Sequence, residues 1–467
     1  MTEPTWIYVP DQDRTNDLEG HDWTGQIWSE GDQMLRWQFE VIRRVDGYDF
    51  YDRGVFQNAA PVSVLVDHQQ PATLLRPIVS KVDAGKVGIK HPFMRTKLSG
   101  TFEALLTGRA VADEDTPLFV GVGMESPTFT AWYGGRPFRE QMDDRHRLTG
   151  IEIAPEDEEK VLISGLGEAV ARRFNAVQRG HASSEVKTST VLRITFEGPK
   201  SLRDALDLCL GIELVFGFLT GYRPRPPIFH LWWQSGESEI RTNDAQLEVG
   251  GVLYRSAPLP HPAERLHMAG RDSVGLYDVL ENFVQKSAEL PARISAIEAA
   301  RWFGGTLNER FVAVMPVLEE YLKAHFRHDD EESFIALEQA FFDHIDASDN
   351  LGIREFARKH IEVKGRKTPS LTTLISRATE HLNKRGFAFQ ADLAKRIAKR
   401  RAAMFHTAGL KAEEDIQPFY EEATATTAIL LLLTMDELGV DIEQLSSHHR
   451  GLHEFSQFMK PRKTQAQ

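Results

Sequence analysis

The stretch Ser256–Pro262, SAPLPHP, places three prolines in seven positions and separates two textures of sequence. Proline fixes φ, removes a backbone donor and is excluded from helix interiors and central strands, so this run reads as a linker. Upstream of it, short apolar runs stand between Gly, Pro and Asp. Downstream, from about residue 272, Gly and Pro thin out and apolar residues recur at helical spacing. Strands followed by helices predict two domains.

In the upstream half, Gln26–Ile42 alternates around Ser29-Glu30-Gly31-Asp32, as a hairpin does. Val62–Val66, Thr73–Val79, Val87–Ile89, Lys97–Thr107, Leu118–Val122, Phe129–Tyr133, Val161–Ser164 and Val191–Phe196 read as further strands. Ile228–Trp233 and Gln246–Tyr254 read as the last two. One helix interrupts them: Ser201 is its N-cap, Asp204 follows in the first turn, and Gly221 stops it after Leu219. Its sides are apolar nearly all round, which predicts burial. The adjacent Trp232 and Trp233 face opposite sides of one strand, so only one of them points into a core.

Helices are predicted downstream at Ser273–Leu290, Ala292–Phe303, Leu307–Phe326, Glu331–Ile345, Ile353–His360, Leu371–Lys384, Phe389–Phe405 and Asp415–Leu438. The expected fold class is therefore α+β and multidomain. A β-rich N-terminal domain with one buried helix spans 1–260, and an all-α helical bundle spans 271–462.

Bulk properties narrow the function. The chain has 467 residues, 41% of them hydrophobic, and a net charge of -13. That charge repels nucleic acid, so any such contact needs a local basic patch. A lone cysteine, Cys209, rules out an intramolecular disulfide and a cysteine-rich zinc site. The opening residues MTEPTW form no basic n-region or apolar h-region. The longest aliphatic run, Ala428–Leu433, is far short of the ~20 residues that span a bilayer. A cytoplasmic location without membrane partners is expected. The sequence contains no phosphate loop, dinucleotide fingerprint, nucleophile elbow or zinc helix motif. His325 with His328 before Asp329-Asp330, and His449 with His453, each stop at two histidines. Two are too few for a zinc site, so neither a metal nor a cofactor is expected.

The functional signal lies in Ala391–Gly409, ADLAKRIAKRRAAMFHTAG. From His381 to Lys411 the basic residues are Lys384, Arg385, Lys395, Arg396, Lys399, Arg400, Arg401 and Lys411, against one acid, Asp392. This reversal of sign can attract phosphate, and it equally fits a solvated helix face. On a helix, Leu393, Ile397 and Met404 share a stripe with Arg401, whereas Lys395 with Lys399, or Arg396 with Arg400, can stay in water. An arginine on an apolar stripe needs a partner or a solvated cleft. Gly409 ends the helix and leaves His406 in its last turn, where a protonated imidazole is favoured. Five residues at ~100° each separate Arg401 and His406 by about 140° around the axis. Either the helix distorts after Arg401, or two chains each supply part of a site; the second is the expectation.

Other Arg/His pairs have similar spacing. Arg225 to His230 crosses prolines, Arg14 to His21 lies in a polar N-terminal loop, and Arg354 to His360 is a helical competitor. The basic helix, the following glycine and the long apolar helix Ala423–Leu438 favour Arg401.

RAAMFH (401–406), with a final aliphatic helix ending LLLLTMDELGV (430–440), resembles the Arg-x4-6-His signature of HEPN domains. The layout is similar to the ApeA-type HEPN proteins of bacterial anti-phage defence. Segments 20–42, 96–111 and 201–224 resemble that family's N-terminal region in order, and SFIALEQAFFDHI (333–345) resembles an early HEPN helix. Many HEPN nucleases carry a polar residue after the arginine, where this chain has Ala402; Arg400, one position earlier, gives x5 spacing.

The resemblance implies a metal-independent endoribonuclease that acts by abortive infection. It implies catalytic roles for Arg401 and His406, with Arg400, Lys399, Arg396 and Lys395 on the RNA. It also implies a homodimer or higher homo-oligomer through the HEPN domain, with transfer RNA one candidate substrate and a phage-derived trigger. A non-catalytic scaffold is the second reading. A third makes the β-rich domain a ligand-binding module, with Trp23, Trp28, Trp37, Trp132, Tyr133, Trp232 and Trp233 as stacking surfaces or simply as sheet core.

Overall fold

The structure is a computed structural model. It describes residues 5–9, 23–29, 35–44, 62–66, 70–87, 93–111, 113–134, 138–142, 148–153, 157–179, 184–221, 227–234, 242–249, 269–301, 305–327, 329–360, 369–406, 416–447 and 457–458. The linker Ser256–Pro262, the hairpin turn at 30–32, Arg14, His21, Arg225, His328, Gly409, Lys411, His449 and His453 lie outside them. The chain has an α+β architecture: a β-rich N-terminal region, then a helical region. Two compact units, Met1–Ser287 and Ala288–Gln467, make it up.

The strands of the first unit are β1 (Thr5–Val9), β2 (Trp23–Ser29), β3 (Leu35–Arg44), β4 (Val62–Val66), β5 (Gln70–Leu75), β6 (Ile78–Val87), β7 (Phe93–Phe102) and β8 (Ala104–Thr107). Then come β9 (Phe119–Glu125), β10 (Phe138–Met142), β11 (Leu148–Ile153), β12 (Asp157–Ile163), β13 (Gly167–Arg179), β14 (Ser184–Lys200), β15 (Ile228–Gln234) and β16 (Thr242–Val249). Fourteen of them form one sheet in the order β12-β13-β14-β9-β15-β16-β8-β5-β4-β1-β2-β3-β7-β6, and β10 with β11 forms a second. The hairpin expected at Gln26–Ile42 is the β2–β3 pair, in which Ile27 faces Trp37.

Residues 129–133, read as a strand from their aromatic content, are instead part of helix α1 (Pro127–Tyr133). Ser126 caps it by accepting from Phe129 N, and Pro127 opens its first turn, where the missing N–H costs nothing. Thr128, Phe129, Trp132 and Tyr133 are buried. That is the i, i+4 spacing of a helix face, not strand alternation. The Trp132 and Phe216 ring centroids lie 4.6 Å apart, which seats α1 on helix α2 (Leu202–Thr220).

Helix α2 is the predicted buried helix. Ser201 accepts from Asp204 N, and Gly221 closes it in the left-handed region at φ 66°. Helix α3 (Leu276–Gln285) packs on β12 and on α2. Gly211 allows this approach, because a Cβ there would stand 2.7 Å from Phe283 Cζ. Cys209 is buried, and burial pushes its thiol pKa up, so it serves as a small apolar side chain.

The second unit contains α4 (Leu290–Arg301), α5 (Leu307–His325), α6 (Asp329–Asp346), α7 (Leu351–His360), α8 (Leu371–Lys384), α9 (Leu393–His406), α10 (Ile416–Glu437) and α11 (Ile442–Ser447). Helix α5 starts with a capping box between Thr306 and Glu309. Helix α10 is central, buried along most of its length from Phe419 to Met435. Its buried threonines return their hydroxyl protons to the preceding turn, as Thr426 Oγ1 does to Glu422 O at 2.7 Å. Among the described residues, no helix is long and apolar enough to cross a membrane.

Candidate functional site on helix α9

Helix α9 is α-helical from Leu393 to His406, the last described residue of this stretch. The backbone therefore does not break after Arg401, and the two residues keep the wide angular separation of an ideal helix. Leu393 and Ile397 are buried, Arg401 and Met404 are half-buried, and Lys395, Lys399 and Ala402 are exposed. The apolar stripe read from the sequence is the inner face. The side chain of His406 lies outside what the structure describes.

The partner that Arg401 needs comes from α5. Its Nε and Nη2 donate to Oε2 of Glu319, at 3.1 and 3.0 Å. Lys323 Nζ binds the other oxygen at 2.7 Å. Burial pushes the Glu319 carboxyl pKa up, but the Lys323 and Arg401 contacts prevail and hold it below the ordinary glutamate value. One carboxylate between two cations leaves the trio with one net positive charge. A guanidinium has five N–H donors, so the Glu319 contact orients Arg401 without using them all.

The neighbouring arginines do not stay in water. Arg400 Nε donates to Glu422 Oε2 at 2.8 Å, and the guanidinium lies 4.8 Å over the Phe419 ring. Both side chains are nearly buried, at 12% and 5% exposure. Arg396 reaches Glu421 Oε2 at 3.1 Å and Asp392 Oδ2 at 3.2 Å. Four of the eight basic residues along 381–411, Arg385, Arg396, Arg400 and Arg401, thus meet acids from α5 and α10. The cations that face outward on α9 are Lys395 and Lys399.

Sequence reasoning missed these acids because they lie far along the chain. A signal was present in Glu319: it precedes Lys323 by four and borders the α5 stripe of Phe311, Met315, Leu318 and Leu322. It also missed a second polar cluster in the helical unit. Arg293 binds Glu437, and its guanidinium lies 4.9 Å over the Tyr321 ring. His325 stacks on Tyr321 at 4.3 Å, and His381 Nε2 lies 2.9 Å from Asp436 Oδ2. Arg385 shares Asp436. These contacts tie together the ends of α5, α8 and α10 around buried side chains, a structural role. Among the described residues, no group of three or more His, Cys, Asp or Glu is placed to hold a metal ion.

The competing pair is on α7, where Arg354 is half-buried and His360 exposed beside Phe356 at 5.0 Å. Among the described residues, α7 packs on α6. In the first unit, Trp233 is buried edge-on against Phe119 at 6.3 Å, with Arg109 4.7 Å over its ring. Trp232 lies on the opposite face, across β9; a Cβ at Gly121 would stand 2.3 Å from its Nε1. Trp37 and Trp132 are core, and the side chains of Trp23 and Trp28 fall outside the described residues.

Comparison with known proteins gives no match to any family model, curated protein or solved structure.

Proposed function

We propose that this chain is a metal-independent endoribonuclease of the HEPN type, acting in anti-phage defence, with Arg401 and His406 as its reacting pair. RNA supplies its own nucleophile, the 2'-OH. His406 takes that proton or protonates the departing 5'-oxygen. Arg401 grips the phosphate and stabilises the charge that builds on it. The product is a 2',3'-cyclic phosphate, and DNA is not cut. The observation that carries the reading is Arg401 held in a half-buried pose by Glu319, on a helix that runs on unbroken through His406. Because a regular helix sets positions 401 and 406 about 140° apart around its axis, two copies of the chain complete a site. Lys395 and Lys399 supply the outward charge for RNA; Arg396 and Arg400 act mainly through their acid partners.

One observation favours the scaffold reading: the Arg401–Glu319–Lys323 trio is self-consistent as a structural ion pair. Incubating the chelator-treated protein with single-stranded RNA and with its 2'-deoxy counterpart separates the two. Cleavage of RNA alone supports the nuclease, and two intact substrates favour the scaffold.

A further inference from the structure

The helical unit contains a cavity of about 60 Å³ where the end of α4, the first turn of α5 and one face of α10 meet. On a scale where ~10–15 Å³ holds a water, it accommodates a few waters or one tetrahedral oxyanion. Its polar lining consists of Arg301, Arg310, Tyr420, Thr424 and Thr427; the rest is alanine and leucine. No carboxylate is among the described residues that line it.

Arg310 is the informative residue. Its Nε is buried and has no hydrogen-bond partner among the described residues. A buried charged donor without an acceptor is costly, and such a group calls for a water or an ion. Arg310 lies in the first turn of the 19-residue α5, where the helix dipole also favours negative charge. Thr427 gives its hydroxyl proton to Ala423 O at 3.0 Å, and the other hydroxyl-bearing residues of the lining are Tyr420 and Thr424. Guanidinium forks match the oxygens of a phosphate in geometry and charge.

We propose that this cavity binds a phosphoryl group, held by Arg310 with Arg301, Tyr420 and Thr424. The inference stands independently of the ribonuclease reading. A free phosphate ion and the terminal phosphate of a nucleotide share this chemistry.

The test is calorimetric titration of the full chain at fixed ionic strength with inorganic phosphate, a nucleoside 5'-monophosphate and the parent nucleoside. Phosphate and nucleotide are expected to bind and the nucleoside not. Equal affinity for the two identifies the phosphoryl group as the whole ligand, and tighter nucleotide binding identifies a terminal phosphate. Arg310→Met weakens phosphate binding about tenfold or more, and Arg310→Lys less. Where Arg310→Met does not fold, Thr424→Val and Tyr420→Phe decide, since each removes one donor at nearly constant shape. Absence of phosphate binding, a nucleoside that binds as well as its monophosphate, or unchanged affinity in the variants overturns the proposal.

Discussion

Arg401 and Glu319 stand 82 positions apart in sequence, yet two donors of the guanidinium converge on one carboxylate oxygen, at 3.1 and 3.0 Å. This contact fixes the arginine that the proposed chemistry uses. Glu319→Gln keeps the shape but loses the charge that holds Arg401 in place. On the nuclease reading its RNA cleavage falls about tenfold, whereas Arg401→Ala loses about a hundredfold or more, the scale of a removed oxyanion donor. Rates with chelator present check this; equal rates for Glu319→Gln and wild type would show that the pose is irrelevant to activity.

The same carboxylate gives a pH signature. Its folded pKa lies below the ordinary value of 4.5. Its contribution to stability is therefore complete above that value and is lost as pH falls through the lower folded one. Denaturant midpoints measured as pH drops below about 5 should decline more steeply for wild type than for Glu319→Gln. Parallel curves would mean that the contact contributes nothing.

Buried and exposed charges should separate cleanly. Glu437→Ala removes the buried carboxylate that pairs with Arg293, whose side chain is 4% exposed, and leaves it only the exposed Glu289 at 3.6 Å; it is expected to cost about 3–5 kcal/mol in urea unfolding. Lys395→Ala and Lys399→Ala should each stay within about 0.5 kcal/mol of wild type. They should instead lower RNA affinity and reduce its salt dependence by about one phosphate contact each. Unchanged salt dependence would remove these lysines from the RNA path.

In the first unit, Gly211→Ala sets two effects against each other. Alanine favours a helix interior by about 1 kcal/mol, but its Cβ would meet the Phe283 ring at 2.7 Å. Overpacking of this kind costs about 1–3 kcal/mol, so a net loss of stability is expected. A thermal melt with a raised midpoint would contradict the packing of α3 on α2.

Local signals were the legible ones. The Ser201 cap and the Gly221 stop framed α2 because each acts within one turn. The stripe Leu393, Ile397, Arg401 predicted the inner face of α9. What escaped was set by distance or by competing propensities. Glu319, Glu421 and Glu422 come from other helices, so a basic run that looks like an electrostatic patch in sequence is partly neutralised when folded. Residues 129–133 carry strand-favouring aromatics, yet the Ser126 cap and burial against Phe216 make them helical. The cavity beside Arg310 draws on three helices, and no short window of sequence contains it.

The central claim is that Arg401 of one chain and His406 of another complete one site. Mixing Arg401→Ala with His406→Ala protein under exchange conditions tests it most directly. Each variant alone should be inactive on RNA with chelator present. In their mixed dimers one of the two sites regains both groups, and random exchange should restore about a quarter of wild-type activity. An inactive mixture beside an active wild type would contradict the shared site, and a wild type that leaves RNA intact would contradict the nuclease itself.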